Sequence, residues 1–312
     1  MDIGDSGVGG ALLVPKVDKK SVTSTSVIKF STHQELPWQD EVNLKRFLND
    51  TASALKQVIS DLLKASTSQG LARPREVLCF LSAPFYASQS RVVKHISPDQ
   101  FLVSAEMVDG LIKNDLETFA KNYPNLHSSI VNDHQRVIES KIMQFKLNRY
   151  PTHKPYGKEA RELEIHNYVS IGSEKILSRL EEIITSSFHN QLRIQFNSLP
   201  FALFQRFHEP LALVVHLGAE VTEVLLIHNG VLADTVSFPA GRNFLIRRLG
   251  ELLETSTVEA TSALKLYTNE SQHPAANEKL RSTLEGIKID WLKQFSEAVT
   301  TFLDHHLIPN GV

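Results

Sequence analysis

LALVVHLGAEVTEVLLIHNGVLADTVSF, residues 211–238, is the stretch that decides the fold. Leu211 to Leu217 is a seven-residue apolar run interrupted only by His216, a length that suits a buried strand. Gly218 to Glu220 supplies a turn, and Thr222 to His228 resumes the apolar pattern. Asn229-Gly230 is a strong two-residue hairpin signal, so Val231 to Phe238 is predicted as a third strand. Pro239 to Gly241 then leads into a helix predicted over 244–253. A second helix is predicted after Ser256 and a third over about residues 276–304.

The chain opens with the same order of events. Ile3 to Val14 reads as strand, glycine turn and strand, followed by a strand around Val27, Ile28 and Phe30. Residues 41–65 carry Leu44, Phe47, Leu48, Leu55, Val58, Ile59 and Leu62 at helical spacing, with Asp40 as the expected cap. Val77 to Leu81 is a short buried strand. Further helices are predicted over 104–123 and 173–188, and a short strand over 193–196. Residues 135–148 and 159–171 have strand character, and Pro155, Tyr156 and Gly157 between them predict a hairpin. The class is α/β, and strand, glycine turn, strand occurs twice.

Composition narrows the function. With 312 residues the chain is long enough for two domains or two lobes. A formal net charge of -2 lacks the basic surplus of a nucleic-acid binder, so no nucleic acid is expected as partner. The single cysteine, Cys79, allows no internal disulfide and fits a reducing cytoplasm. It lies in the apolar run VLCFL and reads as a buried structural thiol rather than a nucleophile. No stretch is apolar enough to span a membrane, and MDIGDSGVGG has no signal-peptide pattern. His305-His306 lacks companions for a metal site, Ser82 and Ser198 lack a nucleophile-elbow context, and Arg247 and Arg248 read as a solvated helix face. The early glycines are not a dinucleotide fingerprint, because ALLV after them reads as strand.

Taken in order, these segments resemble the FtsA and PilM family of the actin, sugar-kinase and heat-shock-chaperone superfamily, most closely FtsA. DIGDSG, 2–7, is similar to the first phosphate loop. KPYGKEARELEIHNYVSI, 154–171, resembles the end of the family's inserted subdomain, and LRIQFNSLPFALF, 192–204, the return to the first lobe. LALVVHLGAEVTEVLLIHNGVL, 211–232, resembles the second phosphate hairpin, and SFPAGRNFLIRRLGELL, 237–253, the helix after it. The resemblance implies an actin-like two-lobed fold of ribonuclease-H-like lobes. Residues 1–81 with 172–209 would form the first lobe, 82–171 an inserted α+β subdomain, and 210–312 an incomplete second lobe. It also implies two truncations: residues before Asp2, and beyond Val312 the adenosine motif that LIPNGV, 307–312, approaches, the closing strands and a membrane-binding helix.

ATP and Mg²⁺ are the ligands the resemblance implies. Backbone N–H groups of a glycine turn cradle phosphate oxygens, and a carboxylate orients the waters of Mg²⁺. The positions that fall at these loops are Asp2, Gly4, Asp5, Ser6 and Gly7 in the first, and His216, Gly218, Thr222 and Gly241 at the second. Four departures stand against nucleotide chemistry. Asp5 places a carboxylate where the family favours Ser, Thr or Gly. Gly9 and its neighbours offer no lysine. His216 replaces an aspartate, and Glu220 replaces a glycine. Unmatched carboxylates beside a triphosphate repel it by about 1 kcal/mol per pair at roughly 4 Å in water, more when desolvated. Impaired or absent ATP hydrolysis and weak ATP binding are therefore expected. The expected role is an FtsA-like cell-division adaptor at the inner face of the membrane, self-associating and binding a division protein, with membrane contact only through a further segment or a partner. A PilM-like pilus scaffold and an active ATPase are the alternatives.

Overall fold

The structure, a computed structural model, describes residues 1–16, 25–122, 134–188, 192–269 and 278–303. The chain divides into two units. One holds Met1–Pro37, Asn43–His208 and Gly230–Leu232; the other holds Trp38–Val42, Glu209–Asn229 and the chain from Ala233 on.

The first unit begins with β1 (Asp2–Ile3), β2 (Gly7–Lys16), β3 (Thr25–Glu35), α1 (Leu44–Ser68) and β4 (Glu76–Leu81). The inserted elements are β5 (Ala87–Leu102), α2 (Ala105–Asn122), β6 (Gln135–Leu147), β7 (Tyr150–Thr152) and β8 (Glu159–Ser173). The unit closes with α3 (Glu174–Phe188), β9 (Arg193–Ser198) and α4 (Leu199–Phe204). Its main sheet runs β3-β2-β1-β4-β9, antiparallel through the first three strands and parallel from β1 to β4 to β9. Leu55, Val58 and Ile59 of α1 and Leu177 and Ile184 of α3 meet Ile3, Val8 and Leu81 in one core. Close packing fixes Gly10: a Cβ there would come within 2.6 Å of Val58 and 2.8 Å of Leu62. The inserted sheet is antiparallel, ordered β5-β8-β6-β7, with Val108 of α2 packed on Leu163 and Ile165.

The second unit carries β10 (Leu211–Leu217), β11 (Thr222–His228), all but the first two residues of β12 (Val231–Phe238), α5 (Arg242–Leu253), α6 (Thr257–Asn269) and α7 (Glu278–Leu303). The three strands form a sheet in the order β10-β11-β12. Val224, Leu226 and Phe238 pack on Val299 and Phe302 of α7, while Ile246, Leu249, Ala260 and Ile287 tie the three helices together. Asn229 and Gly230 both adopt positive φ, 54° and 71°, as a tight hairpin turn requires.

Three local expectations need correction. Asn43, not Asp40, caps α1: its Oδ1 accepts from the Arg46 amide at 3.0 Å, while Asp40 accepts from Trp38 Nε1 at 2.9 Å. The antiparallel pairing expected of 135–148 with 159–171 holds as β6 with β8, but β6 does not turn at Pro155–Gly157. It turns at Asn148-Arg149, with φ of 50° and 74°, into β7, and β8 returns along its other side. The strand β5 was not predicted at all, because Arg91, Lys94, Pro98 and Asp99 dilute its apolar alternation. No helix among the described residues is long and apolar enough to cross a membrane. Residues 305–312, with His305-His306 and LIPNGV, lie outside the described residues.

Candidate nucleotide site

The first candidate turn joins β1 to β2. The Gly4 amide donates to the Gly7 carbonyl at 3.0 Å and closes the hairpin, and the Leu36 amide donates to the Ser6 carbonyl at 3.0 Å. Gly7 is enclosed, since a Cβ would lie 2.5 Å from the Gln34 carbonyl oxygen. Gly4 lies over buried Ser82, whose Oγ would be 3.3 Å from a Cβ. Asp2 is exposed, whereas Asp5 is buried. The structure thus sets Asp2, Gly4, Asp5, Ser6 and Gly7 along one hairpin, Asp2 on β1, Gly7 at the start of β2 and the others in the turn between them.

The second turn joins β10 to β11 and repeats that closure: the Gly218 amide donates to the Val221 carbonyl at 2.9 Å. Its carbonyls are held by the start of α5. Amides of Gly241, Arg242 and Asn243 donate to the carbonyls of Glu220 at 3.1 Å, Gly218 at 2.9 Å and Ala219 at 2.7 Å. The first turn of a helix leaves amides without helical partners, and here the hairpin turn provides them. Thr222 is fully buried, and its hydroxyl donates to the Ala240 carbonyl at 2.7 Å; Trp291 Nε1 donates to the same oxygen at 2.9 Å. Thr222 is therefore a packing and tethering residue of this turn.

The charged groups around the turn are paired. Glu220 is not an unmatched carboxylate, as the sequence suggests. Arg247 grips it through both terminal nitrogens, at 2.8 and 2.7 Å, and Asn243 Nδ2 donates to it at 2.7 Å. Burial alone would raise the Glu220 carboxyl, but the Arg247 and Asn243 hydrogen bonds and the charges of Arg247 and Arg242 hold it below its ordinary range. Arg247 also donates to the Gln39 carbonyl at 2.9 Å and stacks over the Trp38 ring, 5.2 Å from its centroid. The expected solvated face is thus wrong for Arg247. It holds for the half-exposed Arg248, which pairs with Glu251 at 3.0 Å. Opposite His216 on β11 stands buried Glu223, whose Oε2 lies 3.1 Å from His216 Nδ1.

Sequence reasoning missed Glu223, Asn243 and Arg247. Glu223 carried a readable signal, because hairpin register sets residues 216 and 223 opposite each other. The Arg247 grip carried none, since helix spacing does not reveal which loop a helix faces. Cys79 is fully buried, and burial pushes its thiol up to about 11. Ser198 is also buried, donating to Glu139 and lying 2.7 Å from the Tyr168 hydroxyl.

No family model and no curated protein matches the sequence. Among solved structures, the chain is similar to a chain of the PilM-PilN type IV pilus biogenesis complex, with a TM-score of 0.57 and 14% identity, covering 99% of this chain and 77% of that one. It is similar at lower scores to the ethanolamine utilization protein EutJ from Carboxydothermus hydrogenoformans, with a TM-score of 0.32, 16% identity and cover of 42% and 45%. A Bacteroides thetaiotaomicron protein with an actin-like ATPase fold and unknown function gives a TM-score of 0.32 and 11% identity, covering 82% of this chain and 77% of that one. The chain has the actin-like α/β fold, and the PilM likeness spans nearly all of it.

Proposed function

We propose that this chain is an actin-fold assembly scaffold of the FtsA and PilM kind, which holds protein partners and turns over little or no ATP. The observation that carries this is the internal pairing at the second turn. Glu220 is charge-paired by Arg247 and hydrogen-bonded by Asn243, His216 lies against Glu223, and the first amides of α5 are taken by the turn's own carbonyls. Mg²⁺-ATP does not fit such a turn. The cation that could meet its phosphates, Arg247, is already held by Glu220, and no aspartate stands at His216 to orient the waters of the metal. The first turn, with Asp2, Gly4, Ser6 and Gly7, keeps the outline of a phosphate loop with a carboxylate inserted at Asp5.

On this reading residues 1–81 with 172–209 form one lobe, 82–171 the inserted subdomain and 210–312 the second lobe. Of the two assemblies expected from the sequence, pilus assembly has the support of the PilM likeness along the chain. A division adaptor is the second reading, through the resemblance of 154–171 to the end of the family's shared inserted subdomain. The test is a phosphate-release assay with Mg²⁺-ATP on purified, folded protein. Release at the rate of buffer alone is expected; sustained turnover that co-purifies with the folded protein through successive columns would overturn the reading.

A further inference from the structure

We infer that Trp38–Val42 is a strap that opens, and that Arg247 is the catch that holds it shut. The strap lies between β3 and α1 and belongs to the second unit, although the chain on either side of it belongs to the first. The chain is fixed at both ends of the strap. Before it, the Leu36 amide donates to the Ser6 carbonyl at 3.0 Å; after it, Asn43 caps α1.

Trp38 is half-buried against the cluster of Ile246, Leu249, Ala260 and Ile287, and Gln39 is buried, whereas Asp40, Glu41 and Val42 are exposed. Arg247 meets both inner residues. Its guanidinium lies over the Trp38 ring, 5.2 Å from the centroid, and one terminal nitrogen donates to the Gln39 carbonyl at 2.9 Å. The same guanidinium grips Glu220 through two bonds of 2.8 and 2.7 Å. A planar fork aimed by a carboxylate presents its face to the indole and a remaining N–H to the carbonyl, which a lysine could not do. Glu220 therefore acts on the strap through Arg247, as a positioning residue.

The closed catch is incomplete. Asn243 Oδ1 and Arg247 Nε are both buried, with no hydrogen-bond partner among the described residues. They stand one helical turn apart on α5, beside the bonds to Glu220. Buried polar atoms without partners disfavour the state that buries them, and lifting the strap gives them to water. With its last three residues already exposed, the strap has little apolar burial to lose beyond Trp38, so it opens without unfolding α5. The device does not depend on whether the chain turns over ATP.

Two readouts on the folded chain test it. Cleavage after Glu41 by a glutamate-specific protease follows strap opening. Fluorine NMR of 5-fluorotryptophan protein gives one line each for Trp38 and Trp291, the chain's two tryptophans. R247A and R247K are expected to raise the rate of cleavage at Glu41 about tenfold, in proportion to the open population. Both are expected to move the Trp38 line toward its unfolded position and to leave the Trp291 line in place. E220Q is expected to act in the same direction but less, and R248A, at the exposed neighbour, to change nothing. Cleavage no faster in R247K and E220Q than in wild type would overturn the proposal. So would movement of the Trp291 line together with that of Trp38 in every variant, because strap and unit would then open as one.

Discussion

Gly241 lies where the start of α5 meets the second turn, and a Cβ there would come 2.5 Å from the Ala219 oxygen and 2.7 Å from that of Gly218. Both contacts are backbone, so no side-chain rotation relieves them. Gly241→Ala is expected to cost about 1–3 kcal/mol, read as a lower urea midpoint with an unchanged slope. At the other extreme of chemistry, Cys79 is enclosed with its thiol held protonated. A thiol reagent at pH 8 is expected to leave native protein unlabelled and to label one site per chain after unfolding; rapid native labelling would contradict the burial. Much at this scale was legible. His216 and Glu220 stood out as odd residues in a glycine hairpin, and Cys79 as apolar filling. What Glu220 does was not legible, because its partners come from α5 and its cation stacks on Trp38, about 200 residues away in sequence.

At the scale of elements, the inserted sheet is held by a carboxylate at its centre. Glu164 on β8 lies between Lys94 of β5, at 3.0 Å, and Lys146 of β6, at 2.7 Å, with His166 Nε2 at 2.6 Å. Burial raises its carboxyl, but hydrogen bonds from Lys146, Lys94 and His166 bring it down to about 2. A carboxylate depressed below its unfolded value of roughly 4.3 stabilises the fold above that pH, and its contribution is lost as pH falls toward about 2. Stability is therefore expected to fall across this window, and E164Q to flatten that part of the profile in urea titrations at successive pH values. The elements most legible in the sequence were β10, β11 and β12, where apolar runs meet a Gly turn and an Asn-Gly turn. β5 was illegible because it is an edge strand with one wet face, so its charges and Pro98 mask the period of two.

For the whole molecule, order along the chain proved more informative than any single motif. Two glycine-turn hairpins, each closed by a glycine amide to a carbonyl three residues on, mark the starts of the two sheets that carry the actin-like fold. A PilM-like course over 99% of the chain at 14% identity shows a shared architecture and leaves the chemistry of the glycine turns to be argued from their own residues. On the proposed reading, the internal pairs at Glu220 and His216 take the place of nucleotide contacts at the second turn. Calorimetric titration of Mg²⁺-ATP into the folded chain reads this directly. No heat of binding at millimolar nucleotide is expected, because the second turn is already satisfied by Arg247, Asn243 and the amides of α5. Saturable micromolar binding that displaces Trp38 fluorescence would contradict it, since the nucleotide would then have to open the Glu220–Arg247 pair.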